Sequence, residues 1–190
     1  LMGRIGDRVP AYIPIILGSA GFAWSNYALG NVDANTAFWT FAIIIMIGRA
    51  THSATFPPLM AAGLSGIPPR EIPSANGTIN FTRQLGGAFG INLLAIFLEQ
   101  RIAFFSDALA ASQLATNSVT TEFLYKTQKL LAQSELPEAI QQHTSILYLG
   151  KIISAQANML AFRETFILFA IVSLSGVIFA LLLIPSKNNK

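Results

Sequence analysis

Two arginines stand inside stretches that otherwise carry almost no charge. Arg83 lies roughly ten residues into an apolar run from Pro73 to Leu98, and Arg49 lies within another from Ala37 to Leu64. A guanidinium stays charged and presents five N–H donors. In apolar surroundings it must meet carbonyl oxygens, water or an anion. Around Arg83 the polar residues recur at helical spacing: Asn76, Asn80, Arg83 or Gln84, and Gly87 share one face. Such a stripe would line or bound a polar path. The alternative is a lock, in which Arg83 holds helices together by donating to carbonyls at a break. Gly86 and Gly90, with Gly87 between them, have the spacing of a close helix-packing face. His52 follows Arg49 by about one turn, and Pro57-Pro58 follow as a kink. A histidine there is either a hydrogen-bonded packing residue or a proton relay. In the first apolar run Ser19 and Asn26 share a face, and Trp24 and Tyr27 are placed as interface anchors.

Other chemistries lack their residues. There is no cysteine, which excludes disulfides, thiol catalysis and Cys-ligated zinc or iron–sulfur clusters. His52 and His143 are far apart in sequence, and neither an HExxH nor a Walker A motif occurs. No metal and no cofactor is expected. Gly63-Leu64-Ser65-Gly66 matches the Gly-x-Ser-Gly of rhomboid intramembrane proteases. However, His52 shares the serine's own segment and His143 lies far beyond it, so Ser65 has no base and no enzymatic activity is expected.

The elements that must position these residues follow from where charge is absent. Of 190 residues, 53% are apolar and 11% charged, against about 25% charged in soluble domains. With 12 Lys and Arg and 9 Asp and Glu, the net charge is +3, too little for a nucleic-acid binder, and no nucleic-acid partner is expected. Val9 to Val32 has no ionisable side chain except Tyr, enough helix for roughly 36 Å against a hydrocarbon core of about 30 Å. Runs at 37–64 and 73–98, and a charge-free run from Thr165 to Ser186, repeat the pattern. The fold class is therefore all-α integral membrane. Four transmembrane helices are predicted, at about 10–30, 37–64 and 73–98 within a first region 1–100, and within 159–190, which ends in a tail. Between them, 101–158 is rich in Ser, Thr and Gln and shows helical periodicity at Phe123–Leu131 and Ile140–Ile153. It reads as a long, partly helical exterior loop with amphipathic helices on the bundle or bilayer surface.

Short-loop charges set the orientation. Arg4, Arg8, Arg70, Lys187 and Lys190 fall on one side, whereas the other short loop has Asp33 and no base. Both ends are thus expected in the cytoplasm and 101–158 outside. A start at Leu1 with no signal peptide is expected of the carboxy-terminal part of a longer polypeptide. Neither Arg49 nor Arg83 has an intramembrane carboxylate, so their partners are backbone carbonyls, an anionic substrate, or carboxylates elsewhere in that polypeptide.

Gly3-Arg4-Ile5-Gly6-Asp7-Arg8 resembles the cytoplasmic loop signature Gly-x-x-x-Asp-Arg of the major facilitator superfamily, departing from it after Arg8, where Val9-Pro10 stands. Leu64 to Glu71, followed by Asn80-Phe-Thr-Arg83-Gln84-Leu-Gly86-Gly87-Ala-Phe-Gly90, is similar to the penultimate-helix region of the drug:proton antiporter-2 family (EmrB/QacA type). Gln156 to Phe162 resembles the start of that family's last helix. The resemblance covers most of the chain except about 105–150. It implies the last four of about fourteen helices of a bacterial inner-membrane multidrug efflux antiporter. Such a protein exchanges protons for lipophilic or amphipathic solutes by alternating access, with its principal coupling carboxylates in the amino-terminal half. On that resemblance Gly3, Arg4, Gly6, Asp7 and Arg8 form a cytoplasmic gating loop, or else a solvated turn. Asn76, Asn80, Arg83, Gln84, Arg49 and Asn26 belong to the transport pathway or the helix lock, and Gly86, Gly87 and Gly90 to helix packing. The implied partners are the missing amino-terminal half, a lipophilic substrate, protons and the bilayer. The exterior loop would cap the outer mouth, contact a periplasmic adaptor, or simply cover surface. A non-transporting four-helix membrane scaffold is the competing reading.

Overall fold

The computed structural model describes residues 10–33, 35–113, 117–133 and 137–181. Its elements are five helices: α1 (Tyr12–Gly30), α2 (Phe38–Leu64), α3 (Ile72–Ala111), α4 (Ser118–Ala132) and α5 (Glu138–Leu181). The gating-loop residues Gly3, Arg4, Gly6, Asp7 and Arg8 lie outside the described residues, as do Lys187 and Lys190.

Polar turns end the helices where the sequence turns polar. After α1, the Asp33 carboxylate accepts hydrogen bonds from the Asn35 amide at 3.0 Å and the Thr36 hydroxyl at 2.8 Å, the local side-chain turn that Asp favours. After α2, Gly66 takes a φ of 82°, a left-handed value open to glycine at little cost. Within α2 the helix continues through Pro57 and Pro58.

The chain divides into two compact units, residues 1–95 with 163–190, and residues 96–162. In the first, α1 and α2 run antiparallel along a seam of small residues. A Cβ added to Gly18 would overlap the Thr55 hydroxyl, one on Gly21 would sit 2.6 Å from Thr51 Cγ2, and one on Gly48 would sit 2.5 Å from Ser25 Oγ. The Ser25 hydroxyl donates to the Ile44 carbonyl across the seam at 2.8 Å. Along its other side α1 meets the end of α5, again antiparallel. There Gly30 abuts the Arg163 carbonyl, the Phe22 and Phe169 rings meet edge to face at 5.6 Å, and Ser19 faces Gly176. Two contacts bring α3 against α2: Ile79 lies against Gly63, and Arg83 against Phe56.

Burial in this unit is inverted relative to a water-soluble protein. Ile15, Ala23, Ser25, Asn26, Ala170 and Ala180 are buried, whereas Phe38, Trp39, Met46, Phe81 and Phe89 are exposed. Soluble domains put large apolar side chains inside. Helices in lipid instead bury small ones, because the tails outside are as apolar as leucine.

Two helices, α3 and α5, are long and apolar enough to cross a membrane. In the soluble-core alternative such helices are mostly buried, yet the apolar stretch of α3 is 0% buried and that of α5 only 11%. The sequence reading expects four spans. Measured by length and apolarity, α1 and α2 fall short. Gly, Ser, Asn and Tyr dilute α1, and Arg49, His52 and several Thr and Ser dilute α2.

In the second unit, the segment expected as a partly helical loop is helical for most of its length. α3 continues to Ala111, and α5 begins at Glu138, so the last helix starts well before residue 159. The amphipathic α4 lies between them in sequence. Asn117 caps α4 by accepting from the Val119 amide at 3.0 Å. Phe123 stacks on Tyr148, Gln128 donates to Ser145 Oγ at 3.4 Å, and the Thr120 hydroxyl donates to Gln113 Oε1 at 2.6 Å. On the exposed face Lys126 pairs with Glu122 at 2.6 Å. The hydrogen bond and charge of Lys126 hold the Glu122 carboxyl below its ordinary pKa.

Candidate functional site

The polar stripe on α3 is a connected ladder. Asn80 Nδ2 donates to Asn76 Oδ1 at 3.3 Å, and Arg83 Nη2 donates to Asn80 Oδ1 at 3.2 Å. The guanidinium lies 4.9 Å from the Phe56 ring centroid on α2, a cation–π placement. The Asn80 amide thus accepts from Arg83 and donates onward to Asn76, which orients all three side chains. Spacing of three and four residues on one helix makes this possible. α3 has no buried residue. Among the described residues Arg83 therefore has one amide oxygen and one aromatic face, with no carboxylate beside it. Gln84 lies exposed next to it on the same helix.

The other predicted residues are not all brought to this ladder. Arg49 is exposed on α2 and makes no hydrogen bond or ion pair among the described residues. His52 is exposed and stacks obliquely on Phe22, with ring centroids 4.9 Å apart. Asn26 is buried and donates to the Phe22 carbonyl of its own helix at 2.8 Å. For Gly86, Gly87 and Gly90, an added Cβ would meet nothing within 4 Å, so no described helix packs on them. The Ser65 hydroxyl donates to the Ala62 carbonyl at 2.7 Å.

The close-packed glycines are elsewhere, at Gly18, Gly21, Gly48 and Gly30. Their signal was present as small residues at spacings of three and four: Gly18, Gly21 and Ser25 on one helix, Gly48, Thr51 and Thr55 on the next. That pattern marks close helix packing as well as Gly-x-x-x-Gly does.

Against this geometry stand the likenesses to known proteins. An uncharacterized MFS-type transporter, YhcA, of Bacillus subtilis (strain 168) is 20% identical over 194 residues, covering 100% of this chain and 35% of the relative. The multidrug export protein EmrB of Haemophilus influenzae is 22% identical over 171 residues, 90% of this chain and 32% of that protein. The cephamycin export protein CmcT of Amycolatopsis lactamdurans is 31% identical over 94 residues, 50% of this chain and 19% of that protein. The chain is distantly similar to MFS-type transporters. It spans about a third of the length of the first two and less of the third. No family model matches it. No solved structure matches it either. The relatives and the two apolar helices together imply a membrane location.

Proposed function

We propose that this chain is the carboxy-terminal part of a major facilitator exporter of drugs or other amphipathic organic solutes, of the 14-helix, proton-coupled antiporter type. The observation that carries the reading is the Asn76–Asn80–Arg83 ladder on α3, a helix apolar enough to cross a bilayer yet with none of its residues buried. A charged ladder on an uncovered apolar helix calls for a polar cavity or further protein beside it. Distant likeness to an MFS-type transporter and a multidrug export protein, each about three times longer, supports both.

On this reading α1, α2, the first part of α3 and the end of α5 all cross the bacterial inner membrane. The packing supports it: α1 lies antiparallel along α5 from Gly30 to Ser19, so a bilayer around the apolar stretch of α5 surrounds α1 as well. Its small-residue seam then carries α2 with it. Both ends of the chain lie in the cytoplasm, where Asp7 and Arg8 brace the gate. Proton uptake by the rest of the polypeptide biases the rocking of the two halves, while Arg83, Asn80 and Asn76 bound the path that opens alternately to either side. Cargo binding comes chiefly from apolar and aromatic walls such as Phe56. The chain carries out no bond chemistry. The segment between the last two membrane helices caps the outer mouth or meets a periplasmic partner.

The test is Arg83→Ala in the whole polypeptide, measured as drug-dependent proton flux in vesicles. Flux should fall at unchanged membrane yield. A fall in yield with flux per molecule preserved would leave Arg83 as a helix lock.

A further inference from the structure

Resting on the exporter reading, we infer that the α2–α3 face carrying Arg49 and Arg83 binds an organic anion, so that the preferred cargo is a negatively charged amphiphile. Arg49 and Phe56 are two helical turns apart and share a face of α2. Phe56 receives the Arg83 guanidinium, and a Cβ added to Gly63, two turns further on the same face, would lie 3.4 Å from Ile79 Cδ1. The residues that meet α1, namely Gly48, Thr51 and Thr55, lie on a different side of α2. Arg49 therefore belongs to the side of α2 that looks toward α3.

The two helices meet at the Ile79 and Arg83 level. Because they run antiparallel, the residues of α3 after Arg83 pass alongside those of α2 running back from Phe56 to Arg49. There α3 offers Gly86 and Gly90, three and seven residues on, and nothing lies within 4 Å of where their Cβ atoms would be. The facing sides of the two helices thus carry a guanidinium each, with bare backbone at Gly86 and Gly90 on one and the Phe56 ring on the other.

Charge decides what that face takes. From Tyr12 to Gly30, Phe38 to Leu64 and Ile72 to Ala95 there is no Asp or Glu. Arg83 donates to one neutral amide, which accepts a proton bond but cancels no charge, and Arg49 has no hydrogen-bond or ionic partner among the described residues. Two guanidiniums in an apolar slab attract an anion strongly, and each offers paired N–H groups that suit a carboxylate or sulfonate. The apolar body of such a cargo rests on Phe56.

The experiment uses two fluorescent probes with one apolar body and fixed opposite charges, 2-naphthalenesulfonate and (2-naphthyl)trimethylammonium. Uptake of each into inside-out vesicles containing the whole polypeptide is followed after a proton gradient is imposed. The sulfonate should be taken up at least tenfold faster. Arg83→Gln should bring the ratio to within about twofold, and Arg83→Lys should keep most of it. If Arg83→Gln fails to reach the membrane, Arg49→Gln is read by the same ratio and should lower it severalfold. Equal uptake of both probes, preference for the cation, or an equal loss of both in the Gln variants overturns the inference while the exporter reading stands. In the last case the arginines pair with carboxylates of the rest of the polypeptide. Uptake of neither probe overturns the exporter reading, and this inference with it.

Discussion

The α1–α2 seam and the outer length of α3 use the same residue type to opposite ends. In the seam Gly18, Gly21 and Gly48 lie so close to Thr55, Thr51 and Ser25 that no side chain fits. On α3, Gly86, Gly87 and Gly90 have the better-known spacing and face open space. Spacing therefore records that a backbone is available for close approach. Whether something approaches it depends on the neighbour, and for α3 that neighbour is not among the described residues. The seam is a finished contact, and α3 is a surface that the described residues leave uncovered.

Replacing glycine by alanine should break the tie between the two regions most sharply. Gly18→Ala places a methyl group on Thr55 and close to the Thr51 carbonyl, which should cost about 1–3 kcal/mol as overpacking. Gly86→Ala meets nothing among the described residues and should stabilise its helix by about 0.5–1 kcal/mol. Chemical unfolding of the 190-residue chain in detergent micelles reads both, and effects of the same sign would end the comparison. Next in size, Ser25→Ala removes the hydroxyl that bonds the Ile44 carbonyl, a loss of about 1 kcal/mol visible in the same unfolding curve. Thr78→Ala, on uncovered α3, also loses a hydroxyl bonded to a carbonyl, but one of its own helix, Ser74, and should change stability by no more than a few tenths of a kcal/mol.

Two further effects, each confined to α4, sharpen the contrast from outside it, in residues 96–162. Asn117→Ala removes the cap of α4 and should cost about 1 kcal/mol of that helix, read as faster amide exchange at Val119 with the α1–α2 seam unchanged. The smallest effect is acidification. Because Lys126 holds the Glu122 pKa below its ordinary value, the pair contributes above the ordinary carboxylate pKa and is lost as pH falls through the lowered one. Its exposure, 69% and 64% for the two side chains, makes that loss slight. A titration of α4 helicity that persists unchanged in Lys126→Gln would show that the pair contributes nothing.

Much of this was legible in the sequence because it depends on local spacing. Asn76, Asn80 and Arg83 form a ladder since residues three and four apart on a helix are neighbours whatever surrounds them. The helices at 12–30 and 38–64 follow the apolar runs closely, and the turn at Asp33 is local chemistry. Three things needed the tertiary structure. Asn26, a candidate for the path, turns its amide onto its own helix within the seam, because α1 lies between two helices and has little surface left to offer. Residues 101–158 read as a partly helical loop because they are rich in Ser, Thr and Gln, and the structure carries α3 on to Ala111 and starts α5 at Glu138, since polarity reports the solvent a helix meets rather than where a helix ends. Which glycines close a contact was decided by long-range register, a property of pairs of helices that no single stretch of sequence contains.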